Sequence, residues 1–163
     1  METIGLKEVL EFAVKLEENG IKFYTEFAEK AQQEIVNKIF LFLANEEKKH
    51  LKEFERMVST AAEENRPALS EGTTQELLNA YAKAFFPGEE AAEEKPIKDL
   101  SPLEATSLGI KTEQYSISYY QKIKSLAPQR DHRSIDRILR EERQHYEKLT
   151  ELKEKLREHK EIR

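Results

Sequence analysis

Two segments of this sequence combine a glutamate with a histidine three residues later: Glu47 with His50, and Glu142 with His145. On an α-helix this spacing places the carboxylate and the imidazole on one face, one turn apart. Carboxylate oxygens and imidazole nitrogens are ligands that iron, manganese and zinc all accept. Because Asp and Glu make up 32 of the 163 residues, the spacing alone is weak evidence, and the placement of the two pairs must decide.

A second glutamate precedes each pair at nearly the same distance. Glu17 lies 30 residues before the glutamate of the first pair, and Glu113 lies 29 residues before that of the second. Each of these upstream glutamates also precedes a tyrosine by seven residues, Tyr24 and Tyr120 respectively. The two halves of the chain therefore look like a repeat that extends well beyond the Glu-x-x-His spacing.

The elements that carry these residues have apolar stripes at helical spacing, two in each half of the chain. The first Glu-x-x-His pair interrupts the stripe formed by Val36, Phe40, Leu43, Phe54 and Met57. The second pair interrupts the stripe formed by Ile135, Leu139, Leu149, Leu152 and Leu156. Both pairs therefore face the same side as the apolar residues. No long segment alternates at period two, so the sequence predicts an all-α protein.

Proline and glycine residues separate the two halves. The segment from about residue 59 to residue 101 is predicted to be a long crossover with a short extra helix from Thr73 to Phe86. Ser101 and Glu104 flank a proline in the pattern of an N-terminal capping box, which starts the third long helix. Asp131 is predicted to cap the last helix. The expected architecture is one domain, residues 1–163, forming a four-helix bundle of the crossover type.

Four carboxylates and two imidazoles would then meet in the interior of the bundle. Burying unpaired carboxylates costs several kcal/mol each, so they must take up protons or be neutralised. Two divalent cations would balance four ionised glutamates, and the neutral histidines would add nitrogen ligands. The predicted metal ligands are Glu17, Glu47, His50, Glu113, Glu142 and His145. Among them, Glu47 and Glu142 are predicted to bridge the metals, Glu17 and Glu113 to be terminal, and each histidine to bind one metal.

Neighbouring polar residues have simpler expected roles. A solvated helix face is expected for Glu18, Glu46 and Glu141, and solvent exposure for His132 and His159. Tyr24 and Tyr120 could be redox-active, but core packing with a hydrogen-bonded hydroxyl is the expected role.

Composition excludes several other classes. The chain has no cysteine, so a disulfide framework, a thiolate nucleophile and a thiolate-ligated iron centre are excluded. No segment approaches the roughly 20 apolar residues of a membrane span, and a cytoplasmic protein is expected. The net charge of −5 is well mixed along the chain, so nucleic acid is not an expected partner.

Residues 16–24, 43–50, 113–120 and 141–145 together resemble the rubrerythrin branch of the ferritin-like superfamily. The resemblance covers nearly the whole chain apart from the crossover, and its di-iron ligands correspond to the six residues named above. It implies two iron ions, with manganese or zinc as alternatives, that reduce hydrogen peroxide or react with dioxygen while oxidising ferrous iron. It also implies a homodimer.

The chain departs from rubrerythrins proper at two points. Without cysteine it cannot build their rubredoxin-like domain, so electrons are expected from an external donor such as a separate rubredoxin. Rubrerythrins also carry an extra carboxylate one turn after the third helix's ligand, where this chain has Ser116. Two alternatives to a peroxide-reducing enzyme therefore stay open: a ferroxidase or iron-sequestering protein, and a structural bundle that holds a metal without redox activity.

Overall fold

Five α-helices and one short 3-10 helix account for most of the residues that the structure describes. The structure is a computed structural model that describes residues 2–85 and 95–161. The α-helices are α1 Leu6–Lys30, α2 Glu34–Ala62, α3 Glu71–Phe85, α4 Pro102–Leu126 and α5 Gln129–Glu161, and the 3-10 helix is Ile97–Asp99. No strand occurs in the described ranges, which confirms the all-α prediction.

The four long helices form two hairpins. Residues 31–33 join α1 to α2, and residues 127–128 join α4 to α5. Such short connections make each pair antiparallel neighbours. The two hairpins then pack their apolar faces together into a four-helix bundle. None of the described helices is both long and apolar enough to cross a membrane.

The long connection between the hairpins runs from residue 63 to residue 101, because α2 continues to Ala62, past the predicted end near residue 59. Its helix α3 begins at Glu71, two residues before the predicted start, and Phe86 at the predicted end lies outside the described residues. Tyr81 of α3 stacks on Phe12 of α1 with ring centroids 4.5 Å apart. This stacking holds the crossover helix against the bundle.

The predicted N-terminal cap is observed at α4 but not at α5. The backbone N–H of Glu104 donates to Ser101 Oγ over 3.1 Å, and the Ser101 N–H donates to the Glu104 carboxylate over 2.8 Å. This reciprocal pair confirms the predicted capping box. The prediction that Asp131 caps α5 is wrong, because α5 begins two residues earlier. Asp131 is buried in its first turn and pairs with Arg56 of α2 at 3.4 Å.

Two apolar clusters fill the bundle, one on each side of a central polar layer. Along α2, for example, Phe40 and Leu43 belong to one cluster and Phe54 and Met57 to the other. Between them lie the residues of the Glu-x-x-His pair. Along each of the other three long helices, the polar residues also lie between one apolar cluster and the other. The two clusters therefore exclude water from the polar layer at both ends of the bundle.

Candidate metal centre

All six predicted ligands are buried in the central layer. Their exposed fractions are Glu17 2%, Glu47 4%, His50 1%, Glu113 1%, Glu142 1% and His145 2%. They come from all four long helices, because helix periodicity turns one polar residue or pair per helix toward the bundle axis. The structure therefore brings together every residue that the interrupted stripes singled out.

The six residues form two overlapping groups of four. One group contains Glu17 and His50, the other contains Glu113 and His145, and both contain Glu47 and Glu142. Within each group, one potential ligand atom per residue lies within 4.8 Å of the others. The two imidazole rings lie 5.6 Å apart, between centroids, and are nearly parallel. The two groups could each hold a cation and share two carboxylates, and the division into bridging and terminal ligands stays a prediction.

Several polar atoms of the layer lack hydrogen-bond partners, which tests whether cations fit here. Both carboxylate oxygens of Glu142 and Nδ1 of His145 are buried without one. One of these oxygens lies 2.9 Å from Nδ1 of His50, but the pair lacks hydrogen-bond geometry. Buried polar atoms are normally satisfied, and orphaned ones indicate a missing water or ion. Oxygen and nitrogen donors that converge on one point fit divalent transition metals.

Without cations, protons must balance the charge. Burial, reinforced by the charges of Glu47 and Glu142 respectively, raises the pKa of Glu17 and Glu113 well above the usual range. For Glu47, burial alone would raise the pKa, but the neighbouring Glu17 carboxyl and the two nearby imidazoles hold it well below the usual range.

The histidines take up protons as well. Burial opposes a charged imidazole, yet the nearby carboxylates of Glu142 and Glu47 raise the pKa of His145 to about 9. For His50 too, burial opposes the charged form, but the carboxylates of Glu142, Glu47 and Glu17 together outweigh it and raise the pKa strongly. Metal-free protein at neutral pH therefore holds protons on both histidines, and Glu17 and Glu113 keep their protons to a higher pH than exposed carboxyl groups do.

Two tyrosines hold Glu17 and Glu113 from the opposite hairpin. Tyr24 of α1 donates to Glu113 of α4, and Tyr120 of α4 donates to Glu17 of α1, each over 2.5 Å. Both tyrosines are fully buried, and burial next to these carboxylates raises the pKa of both hydroxyls. The expected role of buried packing with a bonded hydroxyl is confirmed.

Comparison with known proteins agrees with this geometry. Residues 8–153 match the sequence model of the rubrerythrin family. The chain belongs to the rubrerythrin family. It is also similar to a solved structure from Thermotoga maritima described as a ferritin-like diiron-carboxylate protein, with a TM-score of 0.69 and 26% sequence identity. The match covers 94% of this chain and 97% of that one. No curated protein matches the chain.

The rubrerythrin resemblance draws attention to Ser116, which lies on α4 one turn after Glu113 and is 7% exposed. A hydroxyl in place of the expected carboxylate leaves the centre with the four glutamates already described. Among the described residues, the buried carboxylates of the central layer are therefore Glu17, Glu47, Glu113 and Glu142.

Sequence reasoning missed one contact to the central layer. Glu141 was expected on a solvated face, but its carboxylate lies 2.9 Å from Nε2 of His50 and its side chain is only 31% exposed. Glu18 is exposed as expected, whereas the side chain of Glu46 is only 16% exposed and pairs with Lys49. In the sequence, the contact is indicated only by the position of Glu141 one residue before the predicted ligand Glu142.

The expectation for His132 is also wrong. Its ring is half-buried, and Nε2 lies 2.9 Å from the carbonyl oxygen of Ala127, so it closes the turn between α4 and α5. His159 is exposed as predicted. Neither residue contacts the central layer, and neither is a candidate ligand.

A surface cavity reaches the centre at one histidine. It has a volume of about 290 Å³ and is lined by His145 together with Phe42, Glu46, Gln144, Glu147, Lys148 and Glu151. His50 is not among the lining residues. The two histidines are therefore equally buried but differ in their surroundings.

Proposed function

We propose that this chain is a non-haem di-iron oxidoreductase that reduces hydrogen peroxide or reacts with dioxygen. The observation that carries the proposal is the pair of overlapping four-residue groups, which share Glu47 and Glu142. Two adjacent ferrous ions would supply two electrons and bind both oxygens of a peroxide. Iron is the metal named for the similar Thermotoga maritima protein, and manganese or zinc would fit the same donors.

The chain's own residues contribute binding, orientation and exclusion of water. Glu17, Glu47, His50, Glu113, Glu142 and His145 would hold the ions, and the apolar clusters on both sides keep solvent out of the layer. Tyr24 and Tyr120 fix the orientation of Glu113 and Glu17. Their raised pKa values keep both hydroxyl protons in place next to the centre. Each proton stays at its Oη atom, where it holds the carboxylate of Glu113 or Glu17.

Electrons must reach the centre from another molecule. The chain contains no cysteine, so it holds no iron–thiolate site that could relay them. We propose an external donor, such as a separate rubredoxin. Reduction of the oxidised protein by such a donor, followed in the ultraviolet absorption of the di-iron centre, tests this part directly.

Rapid mixing of the diferrous protein with hydrogen peroxide tests the main proposal. Reoxidation should be much faster than that of free ferrous iron under the same conditions. Glu17→Ala should slow it strongly, while Glu18→Ala, which changes an exposed neighbour on the same helix turn, should not. Reoxidation of the native protein at the rate of free ferrous iron would end the proposal.

Iron oxidation or sequestration is the second candidate, and Ser116 favours it because the extra carboxylate of rubrerythrins is missing. This function predicts aerobic uptake of far more than about two irons per chain, with ferric iron retained. Saturation near two irons with repeated peroxide turnover favours the enzyme. A structural role with manganese or zinc predicts that the purified protein carries those metals and reacts with neither oxidant.

A further inference from the structure

We propose that Glu141 is a positioning residue that holds the His50 imidazole, so that the two cations exchange at unequal rates. The cation in the group containing Glu17 and His50 would exchange slowly, and the cation in the group containing Glu113 and His145 would exchange quickly. The inference rests on the di-metal function proposed above. It follows from a difference between the two histidines that the repeat in the sequence does not show.

His50 is held at both ring nitrogens. Nε2 lies 2.9 Å from Glu141, while Nδ1 lies 2.9 Å from Glu142 and 3.2 Å from Glu47. A carboxylate only accepts hydrogen bonds, so Nε2 carries the hydrogen that Glu141 receives. Nδ1 is then the nitrogen directed at the cation group. An imidazole whose second nitrogen donates to a carboxylate is fixed in orientation and is a stronger metal ligand.

Glu141 ties α5 to α2 at this point. It precedes Glu142, which belongs to the central layer, so consecutive residues of α5 contact opposite sides of the His50 ring. Rotation of the ring away from a cation would break the bond to Glu141. Loss of the His50 ligand therefore requires an additional bond to open first.

His145 has no equivalent support. Glu46 occupies the corresponding position in the first half of the repeat, but it pairs with Lys49 on its own helix. In the part of the chain that the structure describes, the carboxylates within 4.0 Å of the His145 ring nitrogens all belong to the central layer. Among the described residues, no carboxylate outside that layer forms an ion pair with this ring.

The cavity adds a route to the less restrained ligand. His145 lines it together with residues that are exposed, Gln144 and Glu147 among them. A chelator or a replacement ion can approach His145 from this side, whereas Glu141 covers the corresponding nitrogen of His50. The weaker restraint of His145 and its easier access from the surface therefore both favour faster exchange of the cation in its group.

Release of cobalt(II) to an excess of chelator tests the inference, because the absorption of bound cobalt reports each ion. The native protein, loaded with cobalt, should release it in two phases of equal amplitude. His145→Ala should remove the fast phase, and His50→Ala should remove the slow phase. These two variants assign the phases to their sites.

Variants of the positioning residue then test the cause. Glu141→Ala should accelerate the slow phase about ten- to a hundred-fold, and Glu141→Gln, which keeps an accepting oxygen, should accelerate it less. The matched control Glu46→Ala should leave the slow phase unchanged. In the proton NMR spectrum of the cobalt form, the Nε2 hydrogen of His50 should be protected from exchange with water in the native protein. In Glu141→Ala its signal should be lost through exchange.

The outcomes separate this inference from the di-metal proposal. A native protein that binds no cobalt would remove the proposed function and the inference with it. Binding of about two cobalt ions that leave in a single phase would overturn the inference and keep the function. The same holds if Glu141→Ala and Glu46→Ala release cobalt with identical kinetics, because the Glu141 contact would then have no effect on the ion.

Discussion

Tyr120 donates its hydroxyl hydrogen to Glu17 over 2.5 Å, although the two residues lie 103 positions apart. The bond joins the second hairpin to the first at the level of the metal centre. Tyr24 makes the reverse connection, from the first hairpin to Glu113 in the second. Glu17 and Glu113 are thus each oriented by the hairpin to which they do not belong, so assembly of the candidate centre depends on docking of the hairpins.

Removal of this hydroxyl should weaken both the fold and the metal site. Tyr120→Phe leaves the ring packing against Phe54 in place but deprives the buried Glu17 of its donor. We expect the free energy of unfolding of the metal-free protein to fall by about 1 to 2 kcal/mol and metal affinity to fall about ten-fold. Urea unfolding and metal titration measure the two effects.

The neighbouring Tyr119 offers a matched control. Its buried hydroxyl donates to the carbonyl oxygen of Val9 over 2.9 Å, away from the ligands. Tyr119→Phe should cost similar stability without reducing metal affinity. Equal losses of metal affinity in both variants would contradict the role assigned to Tyr120.

Metal content should distinguish shared ligands from terminal ones. Glu47 belongs to both four-residue groups, whereas Glu17 belongs to one. Glu47→Ala should therefore abolish binding of both ions, and Glu17→Ala should leave about one ion per chain. Elemental analysis of protein loaded with ferrous iron and passed through a desalting column provides the measurement. Retention of two ions by Glu47→Ala would show that this carboxylate is not shared.

The metal-free protein should lose stability as the pH rises. The raised pKa values of Glu17, Glu113 and His145 mean that the folded state binds more protons than the unfolded state. The contribution of His145 is complete below its unfolded pKa of about 6.5 and is lost as the pH passes about 9, which corresponds to about 3 kcal/mol. Unfolding by urea at pH values of about 6, 7.5 and 9 should show the decline in stability.

Metal should reverse this trend. Binding requires the protons to leave the glutamates and histidines, so metal affinity and the stability that it confers rise with pH. His145→Gln should flatten the metal-free profile between the two pKa values of the histidine. A metal-free protein that becomes more stable over this range would contradict the assigned protonation states.

Two glycines inside helices should respond differently to alanine. A Cβ at Gly20 would meet the nearest atom of Glu47 at 3.5 Å, an ordinary contact, whereas at Gly109 it would lie 3.1 Å from Leu149 and 3.4 Å from Tyr24. Alanine normally stabilises a helix interior by up to about 1 kcal/mol. Gly20→Ala should show this gain in thermal unfolding. Gly109→Ala should show none, or a loss, because Leu149 is fully buried and has little room to move.

Much of this protein follows from the sequence because helix periodicity reports which side of a helix is buried. The stripe through Val36, Phe40 and Leu43 continues through Glu47 and His50, so the polar pair had to face the interior. The capping box at Ser101 was also predictable, since all its atoms lie within one turn. The six candidate ligands and the four long helices are local properties of this kind.

What only the tertiary structure decided is which atoms meet across helices. Periodicity predicts a solvated helix face for Glu141, whereas its bond to His50 depends on how closely α5 approaches α2. Glu46 has the same sequence context and pairs instead with Lys49 on its own helix. The repeat in the sequence therefore predicts two equal halves, and the packing makes them unequal, because distances between helices are set by all the side chains between them.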